Sequence, residues 1–182
     1  MWHAYQASLG AHAVVTDQPN IVMKATKENV DRNIETIKSC GNGGKVTILP
    51  LEWTWTEGDA KEFEEKFLKQ LKAMPDTSTD GRMFDLIIGS DLIFHEKAIN
   101  PLVSTVRRLL AAGGEFLMSH KNRKPIVRER MEKAFKDAGF VVEEMETRFK
   151  LFSIYRFTKD KSENLGKEHL PEAITKKLYN DR

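Results

Sequence analysis

"MFDLIIGSD", residues 83–91, decides how this chain is read. From Met83 to Ile88 the run is apolar except for Asp85, and it stops on Ser90 and Asp91. A short, nearly continuous apolar run of this kind predicts a central parallel strand covered on both faces. Parallel strands need crossover connections, usually helices, and the sequence supplies one at once. Ile99, Leu102, Val103, Val106, Leu109 and Leu110 recur at helical spacing, and Gly113 with Gly114 closes that helix.

Working upstream, "AHAVVT" (11–16) reads as a buried-type strand. Pro19 opens a helix, where its missing N–H costs nothing, and Ile21, Val22, Ala25, Val30, Ile34 and Ile37 give the helix its apolar stripe before "GNGG" (41–44) ends it. "KVTILPL" (45–51) is a second strand. Asp59 and Glu62 resemble a capping box ahead of a helix carrying Phe63, Phe67, Leu68, Leu71 and Met74, and "MPDTSTDGR" (74–82) is a loop. Downstream, "EFLMS" (115–119) is a strand, and residues 125–138 form a helix with Ile126, Val127, Met131, Ala134 and Phe135 inward. Gly139 takes the C′ position of that helix. "FVVEEME" and "LFSIYRF", linked by residues 147–150, suit an antiparallel pair. The order is strand–helix, repeated, then two strands: an open parallel α/β sheet with one antiparallel strand at its C-terminal end. Residues 1–157 form the domain and 158–182 a polar tail with a helical pattern around 170–179.

The 182 residues suit one domain with a substantial core. Lys and Arg total 29 against 27 Asp and Glu, a formal charge of +2, which argues against a dedicated binder of duplex nucleic acid. Cys40, the single cysteine, cannot form an internal disulfide. No apolar run reaches the roughly 18 residues of a membrane span, and residues 1–16 lack the order of a signal peptide. The cytoplasm, or the nucleus, is the expected compartment, and a monomer the expected state.

In an open α/β sheet the ligand lies outside the carboxyl ends of the strands. Three polar positions fall there: Asp17, Glu52 with Trp53, and Ser90 with Asp91. Asp17 can accept both hydroxyls of a ribose, Trp53 can lie along an adenine, Glu52 can accept from its exocyclic amine, and Asp91 can face a cleft. Each has a plainer alternative. Asp17 can be the N-cap of the next helix, Trp53 and Trp55 can be packing, and Asp91 can cap the helix of residues 96–110. The shared edge favours the ligand reading of the group.

These residues also carry a resemblance. "GAHAVVTDQP", "ATKENVDRN", "LPLEWTW", "FDLIIGSDLIFHEKAINPLVSTVRRLL" and "AGFVVEE" resemble, in order from about residue 9 to 157, the class I S-adenosylmethionine-dependent methyltransferases. More narrowly they resemble the seven-strand protein-lysine methyltransferases that act on chaperones and elongation factors. The resemblance implies a Rossmann-like sheet, S-adenosyl-L-methionine as cofactor, and a protein substrate of the chaperone or translation-factor type presenting a lysine side chain. It implies that Asp17 holds the cofactor ribose, that Glu52 and Trp53 lie against the adenine, and that Ser90 lines the cofactor site. The family's D-x-x-Y motif reads here Asp91-Leu92-Ile93-Phe94, giving Asp91 and Phe94 the catalytic role. Phenylalanine keeps the aromatic wall without the hydroxyl.

The resemblance also implies an N-terminal truncation. The family's first strand and its E-x-G-x-G-type loop, which cradles the methionine end of the cofactor, belong before residue 1, and "MWHAYQAS" is similar to the end of the helix that follows that loop. Two outcomes are expected for the sheet: a gap in the middle, or the strands of residues 11–16 and 83–91 forced together. This chain is expected to bind the cofactor weakly or not at all.

Other signals point elsewhere. "SCGNGGKVT" lacks the first glycine of a P-loop and follows a helix. His95 with Asp91 and Glu96 has no metal spacing, and no metal site is expected. "SHKNRKP" (119–125) is a local basic cluster, read as a solvated loop or a contact for an acidic substrate surface. The absence of N-P-P-Y and D-P-P-Y lowers the odds of nucleobase methylation. Protein-lysine N-methylation leads. A non-catalytic methyltransferase-like scaffold and a small-molecule N-methyltransferase are the alternatives.

Overall fold

The structure, a computed structural model, describes residues 7, 10–39, 43–53, 62, 64–73, 84–121, 124–148 and 151–159. The chain divides into two compact units. One comprises Met1–Glu52 and Glu62–Ala73, the other Trp53–Lys61 and Met74–Arg182.

In the first unit β1 (His12–Asp17) pairs in parallel with β2 (Lys45–Pro50), from His12 opposite Lys45 to Asp17 opposite Pro50. The connection is helical in three sections: Pro19–Ile21, a π-wound turn Val22–Thr26, and α1 (Lys27–Ser39). Parallel pairing demands such a crossover. Ala13 and Val15 of β1 are buried, as are Ile37, Phe67 and Leu71 of the helices. A second helical stretch, Glu64–Leu68 followed by α2 (Lys69–Lys72), lies in the same unit. The Asp59 half of the expected capping box, and Cys40, fall outside the described residues. Gly44 is required by close approach: a Cβ there would lie 1.7 Å from the Ala7 carbonyl oxygen.

The second unit holds a four-stranded sheet ordered β3-β4-β6-β5, with β3 (Phe84–Ser90), β4 (Leu110–Lys121), β5 (Phe140–Met145) and β6 (Phe152–Lys159). β3 and β4 are parallel, and β6 runs antiparallel to both β4 and β5. The antiparallel closing strand expected from the sequence is β6. Helices α3 (Ile99–Leu109) and α4 (Pro125–Asp137) bury one face of this sheet. Leu102, Val103 and Val106 of α3 and Met131 and Phe135 of α4 pack there with Phe116, Met118, Tyr155 and Phe157. Phe135 sits at the centre, its ring 4.1 Å from Phe157 and 5.4 Å from Phe140. Gly139, at φ +87°, donates its N–H to the Lys136 carbonyl and closes α4 as expected.

Two expectations are corrected. Among the described residues β3 pairs with one strand, β4, and it is not covered on both faces: Leu86 and Ile88 are 45% and 39% exposed. Its apolar run outlasts its partners because no strand pairs with its other side among the described residues. Gly113 and Gly114 do not close α3. The chain passes from Leu109 straight into β4, and the glycines form a bulge where the register shifts from Phe84–Leu110 to Leu86–Glu115. Glycine is needed there because Gly113 has φ +75° and a Cβ on Gly114 would meet the Phe84 and Asp85 carbonyl oxygens at 3.0 Å. The helix end is held instead by Lys159, whose ammonium donates to the carbonyls of Arg107 at 2.9 Å and Leu110 at 3.4 Å.

Candidate active site

Each unit brings its share of the expected residues to the carboxyl ends of its parallel strands. In the first, Asp17 closes β1, and its carbonyl accepts the Leu51 N–H at 2.9 Å. This extends the parallel ladder one step and delivers Glu52 beside Asp17, both exposed. Asp17 Oδ1 accepts the Gln18 N–H at 2.8 Å, and Oδ2 has no hydrogen bond among the described residues. One carboxylate oxygen therefore braces the turn.

In the second unit, Ser90 and Asp91 end β3. The Ser90 hydroxyl lies 2.8 Å from the Ser119 hydroxyl of β4, its direct partner in the register. Asp91 takes φ +51°, a left-handed conformation that Asp tolerates better than most residues. A hydrogen bond from its N–H to the Ser119 carbonyl at 2.8 Å holds it there. Strained residues over-determined by their surroundings concentrate at functional sites. Asp91 does not cap the following helix: the N-cap positions are His95 for the 3-10 turn Glu96–Ala98 and Ala98 for α3. Ile93 is buried in the core, and the next residue, Phe94, stands out 65% exposed. An ion pair between Glu96 and Arg130 ties the start of the 3-10 turn to α4.

Trp53 is half-buried and packs against the hydrophobic core of the second unit, as the packing alternative expects. His95 is exposed, and among the described residues no group of His, Cys, Asp and Glu is arranged to hold a metal ion. The sequence reading passed over Ser119. Its signal was the same as that of Ser90, a small polar residue at the carboxyl end of an apolar strand. No helix among the described residues is long and apolar enough to cross a membrane.

Comparison with known proteins places these features. No curated protein matches the sequence. Among solved structures, an O-methyltransferase family protein from Burkholderia thailandensis aligns at 14% identity and TM-score 0.51, over 84% of this chain and 45% of that one. The fibrillarin pre-rRNA processing protein of Methanococcus jannaschii aligns at 12% identity and TM-score 0.50, over 82% and 56%. A methyltransferase from Pyrococcus furiosus aligns at 13% and 0.48, over 82% and 63%. The chain thus spans less than two thirds of the length of each, and the likeness is one of methyltransferase fold. A protein family described as lysine methyltransferase matches residues 4–138, well over half of the sequence. The chain belongs to the lysine methyltransferase family.

Proposed function

We propose that this protein is an S-adenosyl-L-methionine-dependent methyltransferase that methylates a lysine side chain of a protein substrate. The observation that carries the reading is the pairing of Asp91, held at φ +51° at the carboxyl end of β3, with the outward-facing Phe94, in a chain of this family.

The residues present fit part of the cofactor. The exposed carboxylate of Asp17 suits ribose hydroxyls, and exposed Glu52 suits the adenine amine. The Ser90 hydroxyl lines the edge beside Asp91. The 182 residues contain no E-x-G-x-G sequence for the methionine end. The cofactor, when bound, supplies an electrophilic methyl carbon on a sulfonium. The protein's task is then to align an uncharged amine with that carbon and exclude water, and such positioning supplies much of the rate. Asp91 accepts an N–H of the lysine amine, orients its lone pair, and favours the cationic product. Phe94 presents a ring face to the ammonium, worth about 0.5–2 kcal/mol.

The test is transfer of an isotopically labelled methyl group to lysate proteins, read by mass spectrometry, with Asp91→Asn as the control. Label on lysine that disappears in the variant supports the reading. Label on other residue types or on small molecules overturns it. For the 182-residue chain, calorimetry should find weak or no cofactor binding, and micromolar affinity would contradict that. Where binding is measurable, Asp17→Ala should weaken it about tenfold, the value of one hydrogen bond to a charged group.

A further inference from the structure

We infer that the carboxyl edge of the four-stranded sheet is a docking rim for an extended peptide segment that carries acidic and large apolar side chains about three residues from the target lysine. The inference rests on the proposed reading of Asp91 and Phe94 as the catalytic pair. The same edge carries, besides Phe94, two further exposed apolar residues, Leu151 and Phe152. Among the described residues three bases share the edge: Lys121 at the end of β4, Lys124 at the N-cap of α4, and Arg148 in the link from β5 to β6. None of the three is in an ion pair among the described residues.

The register sets the geometry. Lys121 lies directly opposite Phe152, so a cation and an exposed ring stand side by side, with Cβ atoms about 5 Å apart. By the two-residue alternation of a strand, Lys121 shares its face with Ser119, whose hydroxyl meets Ser90 beside Asp91. From β3 across β4 to β6 is two strand spacings, about 10 Å, which about three residues of extended chain cover. A lysine at Asp91 therefore brings its third neighbour over Lys121 and Phe152.

Charge favours acids at that position. The carboxylates nearby are mostly engaged: Glu96 with Arg130, and Glu144 with Arg128 and, at 2.5 Å, the Ser153 hydroxyl. Among the described residues Glu146 offsets one base and leaves an excess of positive charge. Interspersed carboxylates fit a peptide better than a phosphate backbone, which a face of one sign would track.

The experiment is fluorescence anisotropy with the whole chain and three labelled probes at low and high salt. One peptide has lysine followed, three residues on, by leucine and glutamates. The second has lysines in place of the glutamates, and the third probe is a short single-stranded RNA. The acidic peptide should bind about tenfold tighter than the basic one, with the gap narrowing in salt. The triple variant Lys121→Glu, Lys124→Glu, Arg148→Glu should reverse the order, and the triple glutamine variant should erase it, each checked for fold by circular dichroism. Phe152→Ala should weaken the acidic peptide severalfold at both salt concentrations. Equal binding of the two peptides, binding of neither, preference for RNA, or indifference to the triple variants overturns the rim. Methyl transfer is read separately. Peptide discrimination alongside methyl label on other residue types removes the enzyme reading and spares the rim, whereas lysine methylation indifferent to flanking charge does the opposite.

Discussion

Asp91 and Ser119 are joined through the backbone, the N–H of the first donating to the carbonyl of the second at 2.8 Å while Asp91 holds φ +51°. The carboxylate and the conformation are separable. Asp91→Asn should change unfolding free energy by less than about 0.5 kcal/mol, since Asn also visits the left-handed region. Asp91→Val should cost about 1–2 kcal/mol in a urea titration. Both should abolish methyl transfer, so activity lost without stability assigns the chemistry to the carboxylate.

Gly43 and Gly44 test two different reasons for glycine. Gly43 has φ +70° and open space around it, so Gly43→Ala should cost about 1 kcal/mol. Gly44→Ala would drive a Cβ to 1.7 Å from the Ala7 carbonyl oxygen and should cost about 2–3 kcal/mol. Thermal melts of the two variants should rank in that order.

Phe135 touches three aromatic rings, with centroids 4.1 Å, 5.4 Å and 5.8 Å away. Phe135→Ala should destabilise the second unit by about 3–5 kcal/mol. Near-ultraviolet circular dichroism should follow the loss of fixed aromatic packing.

Tyr155 makes stability fall at high pH. Burial pushes its phenol from 10.0 up to about 12, with a hydrogen bond to Ser153 acting the other way. The folded state keeps this proton longer than the unfolded state. The stabilisation is therefore complete below about pH 10 and is lost as pH rises to about 12. Ultraviolet titration should show a tyrosinate step near the upper value that Tyr155→Phe removes.

Much of this architecture was legible in local pattern. β1, β2, β5, β6 and α4 lie within a residue or two of where apolar period and Gly139 put them. What escaped depends on partners distant in sequence. The start of β4 at Leu110 is set by pairing with Phe84 and by the Lys159 ammonium, neither visible in a window around residues 105–115. Burial of β3 failed for the same reason, since an apolar run declares what a strand needs and not what it finds. For the site, the acids could be read from strand ends, while Ser119 becomes meaningful only once β4 is laid beside β3.

The side of β3 that has no strand partner among the described residues has a practical consequence. Its outward N–H and C=O groups, flanked by exposed Leu86 and Ile88, form a template onto which any extended chain can add. Asp85 is the strand's one charged residue, so it acts as a gatekeeper against stacking of copies. Solutions of this chain should cloud with concentration, and a second charge at Ile88 should keep them clear.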